Sequence, residues 1–267
     1  MNARAVAWLS LPALLVGTEC AVATATPLVR MLAFVAATLL AMKVVVLVAA
    51  RHDGVRVPIA NLGWFVLWFG MHPRTFVRRR PPGVEKARRW ARVGAANVVV
   101  GAGLAAVAVT ACSGWFVQVL LLVAFSMVVH FGLFALLAAW LRLRGFAVPL
   151  LFDAPWRSAT AAEFWRDRWN HGFTEMTALV VHRPLARRWG RPRGLLASFV
   201  FSGVLHDVAL SLPVRGGWGL PTLYFVLQGL VVLWQGERRS RVVTFAAVVL
   251  PAPLLFHPWF LAGVLGG

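Results

Sequence analysis

A histidine and an aspartate stand side by side at positions 206 and 207, inside the run Gly194 to Leu212, GLLASFVFSGVLHDVALSL. The run is long enough to cross a bilayer as one helix. Ionisable side chains in hydrocarbon are costly unless paired, so they are functional candidates by default. With Gly194 at the membrane boundary, His206 lies twelve residues in, roughly 18 Å deep at 1.5 Å per residue and close to the midplane. A neutral imidazole there keeps one nitrogen free to accept a proton, as a general base must. A buried histidine that only donates to a backbone carbonyl would fit the same position. Asp207 cannot simply orient His206, because adjacent helix residues point about 100° apart. It is expected to pair with an arginine or another donor and to act as structural support.

Upstream lies an aromatic and charged cluster, Phe164-Trp165-Arg166-Asp167-Arg168-Trp169-Asn170. The amide of Asn170 can donate to a developing oxyanion or hold a substrate carbonyl; the competing role is a cap at a helix end. Trp165, Trp169, Arg166 and Arg168 are candidate substrate-binding residues, the arginines because guanidinium binds phosphate by paired donors. His130, mid-way along a second uncharged apolar run, either lines a shared tunnel or hydrogen-bonds across helices. His52, His72, His171, His182 and His257 fall at interfaces or loops, and no metal-ligand spacing emerges. No Gly-rich phosphate loop, Gly-x-Ser-x-Gly elbow or cysteine-centred site occurs, which argues against a covalent acyl-enzyme.

The elements that must position these groups are membrane helices. Hydrophobic residues make up 60% of the 267 positions and charged ones 13%, and mean hydropathy is +0.75; a soluble domain carries nearer a quarter charged. The apolar runs are continuous, so the fold class is all-α and polytopic, with no barrel. Seven spans are predicted: 5–23, 28–50, 93–111, 115–141, 194–212, 218–235 and 242–264. Cys112-Ser113-Gly114 makes a tight turn between the third and fourth. The apolar stretch 59–71 is too short to cross and reads as a re-entrant or interfacial helix. The segment 164–189 is too charged for bare hydrocarbon. No repeat or linker appears, so a single domain, 1–267, is expected.

The net charge of +18 would point to nucleic acid in a soluble protein. Here the arginines sit between apolar runs, where positive-inside topology and anionic lipid explain them, and no nucleic-acid partner is expected. Eight basic residues between Arg74 and Arg92, together with Arg142, Arg144, the stretch from Arg157 to Arg193 and Arg238 to Arg241, fall on one side. That side is read as cytoplasmic, with the N-terminus inside and the first span retained instead of cleaved as a signal peptide. Arginine outnumbers lysine 25 to 2, which hints at a GC-rich genome and a bacterial cytoplasmic membrane. Cys20 and Cys112 read as two packed thiols.

The run Pro155-Trp156-Arg157-Ser158, then Glu163 through Asn170, Arg183-Pro184 and Gly194 through Asp207, resembles the wax synthase branch of the membrane-bound O-acyltransferase superfamily. In that branch a Phe-Trp-x-x-Arg-Trp-Asn motif precedes a Ser-Gly-x-x-His-Glu motif. Arg166-Asp167-Arg168 stands here where the plant-type pattern has Gly-Arg-Arg, and Asp207 where it has Glu. The resemblance covers about residues 150–212, with a weaker echo at Leu62 to Pro73. It implies a catalytic His206 with Asn170 as partner, an acyl-CoA donor, a lipid hydroxyl acceptor and no metal or organic cofactor. The leading expectation is acyl transfer to a long-chain alcohol, giving a wax ester. Other hydroxyl acceptors (diacylglycerol, a sterol, a polyketide or a glycan) stay open, as does, in another class, a small transporter using His206 and Asp207 as a proton relay.

Overall fold

The computed structural model describes residues 3–266, and all regular structure among them is helical. Five helices are long and apolar enough to cross a membrane: α1 Ala3–Val22, α2 Pro27–His52, α4 Val84–Ala111, α5 Trp115–Leu143 and α6 Arg191–Val214. The short α3, Ile59–Leu67, has nine residues and does not span. Apolar side chains on these helices stay outside the packed interior (Val99 is 72% exposed), as lipid-facing residues must. The chain is an integral, multi-pass membrane protein.

Three of the seven expected spans differ. The sixth is α7, Leu220–Gln235, of 16 residues, short of the roughly 20 a perpendicular crossing needs. Gly217 and Gly219 both adopt positive φ just before it, and Pro221 sits in its first turn, so the helix cannot begin at Trp218. The seventh is broken into α8 Arg241–Leu255 and α9 Pro258–Leu265, bent by 62°. Pro258 starts the second piece, where a missing N–H is tolerated. The third starts nine residues earlier than hydropathy implies. Lys86, Arg88, Arg89 and Arg92 lie exposed on its first turns, while Ala87, Trp90 and Gly94 are buried. The Lys86 ammonium and the Arg142 guanidinium both cover the Trp90 ring at 5.0 Å, so an aromatic face shelters the charges.

The chain forms two compact units. One comprises residues Val55–Asp153 and Trp169–Gly172. There α4 and α5 form a hairpin about Gly114, whose φ of 62° suits the turn. The helices approach closely at Gly94, Gly101 and Gly132: a Cβ on Gly94 would lie 3.0 Å from the Gly132 carbonyl, the small-residue packing that lipid-embedded helices favour. The Asn97 side-chain amide donates to the Phe131 carbonyl at 3.1 Å. Beside the hairpin, Phe65, Phe76 and Phe146 stack in sequence, with centroids 5.6 and 5.0 Å apart.

The other unit comprises the chain up to Gly54, Ala154–Arg168 and everything from Phe173 on. Arg30, 2% exposed, ties three of its helices together. From α2 it donates to both Glu19 oxygens on α1 (3.2 and 2.9 Å) and to the carbonyls of Leu212 and Pro213 at the end of α6 (3.1 and 2.9 Å). Carbonyls at a helix end are short of intrahelical donors, the Leu212 one meeting only the Arg215 N–H at 3.3 Å, so the guanidinium closes α6 and neutralises Glu19. Arg30→Met is therefore expected to destabilise the protein by about 2–3 kcal/mol, at the low end for a broken buried pair because Arg215 also reaches Glu19. The check is the unfolding midpoint in detergent, with Arg215→Gln as a comparison that moves it little.

Candidate active site

His206 lies at the point where α6 changes from α-helical to π-helical geometry, the π segment being Asp207–Ser211. Its Nδ1 is 2.6 Å from the Ser202 carbonyl one turn earlier. A carbonyl only accepts, so Nδ1 carries the proton and Nε2 holds a free lone pair. The ring packs against Phe225 of α7 (4.2 Å between centroids) and Phe173 (5.7 Å). The imidazole is thus anchored by its own helix and faced with aromatic walls. That is a base held in one tautomer and one orientation.

Trp165 shares the Phe225 wall, with centroids 5.5 Å apart. It also touches Phe199 and Phe164. Its indole N–H donates to the Gln228 side-chain oxygen at 3.2 Å, and the Gln228 amide donates on to the Ala247 carbonyl at 2.7 Å. The Thr174 hydroxyl donates to the Trp165 carbonyl at 2.8 Å. Trp165 and His206 therefore belong to one aromatic cluster.

The charged residues of the cluster are occupied locally. Arg166 makes two bonds to its neighbour Asp167, at 2.9 and 2.7 Å, on an exposed surface. Arg168 donates to Glu163 at 2.7 Å, while the other Glu163 oxygen accepts the Ala159 N–H at 2.9 Å. Thr160 caps this short helix by accepting the Glu163 N–H at 3.0 Å, while the Glu163 carboxylate reaches back past the cap to the Ala159 N–H, a variant of the capping box. These arginines set the shape of the 155–168 segment, which carries Trp165.

Asp207 takes no part in orienting His206. Its carboxylate accepts the Gly219 and Thr222 N–H groups (2.8 and 3.1 Å), the Thr222 hydroxyl and the Ser211 hydroxyl (3.0 Å). A carboxylate at the start of α7 satisfies orphan donors and suits the positive end of the helix dipole. The Ser211 oxygen also meets His257 Nε2 at 3.2 Å, and His257 Nδ1 accepts the Phe260 N–H at 3.1 Å. His257 is expected at an interface or loop from sequence; it does sit at the break between α8 and α9, but fully buried.

In the other unit, Asn170 adopts a left-handed conformation with φ of 49°, which asparagine tolerates better than most residues. It follows the π-helical Phe164–Arg168 by two residues and directly precedes the helix His171–Thr177. Trp169 stacks edge-on against Phe152 at 4.9 Å and lies 5.9 Å from His130. His130, within the π-helical stretch Ser126–Leu133, also meets Phe152 at 4.6 Å and the Ser126 hydroxyl at 3.0 Å. His130 and Trp169 thus share one aromatic cluster, and His206 and Trp165 another. Phe225, Phe173 and Gln228 were not singled out from sequence, and Ser202 only as part of the Ser-Gly-x-x-His pattern. Gln228, the polar residue in the middle of an apolar run, carried a signal that could have found it.

Two carboxylates near this segment shift in opposite directions. The Ala159 N–H and then Arg168 hold Glu163 below the usual carboxylate range. Its stabilising contribution is present above the unfolded value of about 4.3 and is lost as pH falls through the lower folded one. The hydrogen-exchange protection factors of residues 155–168, with the intrinsic pH dependence of exchange divided out, should fall on acidification, and Glu163→Gln should flatten that response. Burial pushes Glu175 up to about 7, so stability falls as pH rises from about 4.3 to about 7 and stays reduced above it. Glu175→Gln should raise the melting temperature above neutral pH and leave it near wild type at about pH 4.

Comparison with known proteins follows the same residues. Residues 148–227 match the model of the membrane bound O-acyl transferase family. The chain is 28% identical over 135 residues to a probable long-chain-alcohol O-fatty-acyltransferase 9 of Arabidopsis thaliana, covering 41% of this chain and 39% of the relative. It is 31% identical over 88 residues to the long-chain-alcohol O-fatty-acyltransferase of Simmondsia chinensis, covering 29% of this chain and 25% of the relative. The matched part spans about two fifths or less of the length of these relatives. The segment that carries Trp165, Asn170 and His206 thus matches the membrane bound O-acyl transferase family model and is similar to proteins named as long-chain-alcohol O-fatty-acyltransferases.

Proposed function

We propose that the protein transfers a fatty acyl group from acyl-CoA to the hydroxyl of a long-chain alcohol, giving a wax ester and free CoA. The observation that carries this reading is the tautomer of His206: Nδ1–H is committed to the Ser202 carbonyl, and Nε2 is left basic among aromatic walls. Nε2 takes the alcohol proton as the oxygen attacks the thioester carbonyl carbon. The C–O bond forms, the C–S bond breaks, and the imidazolium returns its proton to the leaving thiolate. The resemblance to the family is what assigns Asn170 the part of holding or polarising the thioester carbonyl. The Phe225 and Phe173 faces suit an acyl chain and keep water, the competing nucleophile, away from the base. The transfer is direct and uses no metal or organic cofactor. The similarity to proteins named as long-chain-alcohol acyltransferases favours an aliphatic alcohol as acceptor.

Membranes containing the protein, supplied with labelled palmitoyl-CoA and hexadecanol, are expected to form hexadecyl palmitate. His206→Ala should lower that rate by about 10²–10⁴-fold, the usual contribution of a general base, at unchanged expression. Asn170→Ala should lower it as well. Diacylglycerol and a sterol, offered separately, should be poorer acceptors. Ester formation that survives His206→Ala would sink the assigned role. Ester from diacylglycerol alone would move the acceptor and keep the chemistry.

A further inference from the structure

A cavity of about 290 Å³ opens in the unit that holds His206, but His206 is not among its walls. The first turns of α1, the C-terminal end of α2 and the helical segment 179–187 form it. Its polar side carries Arg4, Arg183 and Arg187 against one acid, Asp53; Trp8 and Leu179 are among its apolar walls. Asp53 lies 4.0 Å from Arg4. The Arg183 and Arg187 side chains make neither a hydrogen bond nor an ion pair among the described residues. They sit four residues apart in Arg183–Trp189, so they share one face of the helix, where like charges repel.

We propose that this cavity binds the phosphate ester of an amphiphile, with the phosphate oxygens held by Arg183 and Arg187 and the apolar chain lying against Trp8 and Leu179. Two adjacent guanidiniums offer paired donors that fit tetrahedral phosphate oxygens. An anion between them removes the repulsion that the helix otherwise bears. The cavity lies where α1 begins and α2 ends, at the rim of the apolar spans, which is the depth of a phosphate head with a buried tail. A membrane phospholipid and an acyl-CoA both supply that chemistry.

The test is binding to purified protein in detergent, titrated separately with dioleoylphosphatidylglycerol and with palmitoyl-CoA. Because no turnover is read, failure of the acyl-transfer proposal leaves the result intact. Arg183→Gln/Arg187→Gln should weaken at least one ligand by about tenfold or more, the loss of two charge-assisted contacts. Arg191→Gln/Arg193→Gln, an equal charge change outside the cavity, should leave affinity within about twofold. Arg183→Lys/Arg187→Lys should retain part of the binding. Loss confined to phosphatidylglycerol identifies a lipid site, and loss confined to palmitoyl-CoA a donor site. If the double variant does not fold, Arg187→Gln alone serves the same comparison. Unchanged binding of both ligands, or equal loss in the control pair, overturns the proposal.

Discussion

Inside a bilayer no water is present to satisfy a polar side chain, so each buried group must be partnered by the protein or left costly. At His206 that requirement is met by one bond, Nδ1–H to the Ser202 carbonyl. Much of the surrounding arrangement depends on it. Because the ring is anchored to its own helix, Asp207 is released to cap α7 through Gly219 and Thr222. That cap fixes where α7 starts, and Phe225, less than a turn beyond Thr222, then lies over the imidazole and against Trp165. An adjacent His–Asp pair in sequence therefore performs two separate tasks in space. The histidine presents a lone pair, and the aspartate places the wall it faces.

The π-helical segments explain how such groups fit into apolar helices. His130 lies within Ser126–Leu133, His206 directly before Asp207–Ser211, and Trp165 within Phe164–Arg168. A π turn widens the helix by one residue and shifts the faces of everything after it, and such turns are frequent at functional sites. Residues beyond the π segment are therefore displaced from the faces that α-helical arithmetic assigns them, although Asp207 and Ser211 still meet at i, i+4. Composition cannot reveal this, because the π geometry is selected by the tertiary hydrogen bonds that it makes possible.

Much of the helical organisation was legible in the sequence, since a span of some 20 apolar residues leaves few alternatives. Where hydropathy misled, local chemistry decided. Trp90 shelters Lys86 and Arg142, which lets α4 continue through charge, and Gly217, Gly219 and Pro221 delay α7. The motif residues were equally legible as types: an imidazole in an apolar run and an asparagine closing an aromatic cluster. What was not legible was partnership. Neither the burial of His257 nor the Trp165–Gln228 bond follows from spacing, because both join residues more than forty positions apart.

The arginines show why a charge count says little about chemistry until geometry is known. Arg30 is buried and closes α6; Arg168 is tied to Glu163, and Arg166 to Asp167. The arginines of the aromatic motif are thus already bound to carboxylates one and five positions away, and a phosphate would have to compete with those bonds. Arg183 and Arg187 face no such competition. They also follow Phe173 by ten and fourteen positions along one largely helical segment, and Phe173 is a wall of the His206 site. A phosphate head at the pair would sit roughly 15–20 Å along that axis from Phe173 at 1.5 Å per residue. If an amphiphile held there were also the acyl donor, it would have to bridge that distance, so an extended linker between phosphate and thioester would be required. A compact phospholipid headgroup carries no such requirement, which is why direct binding separates the two.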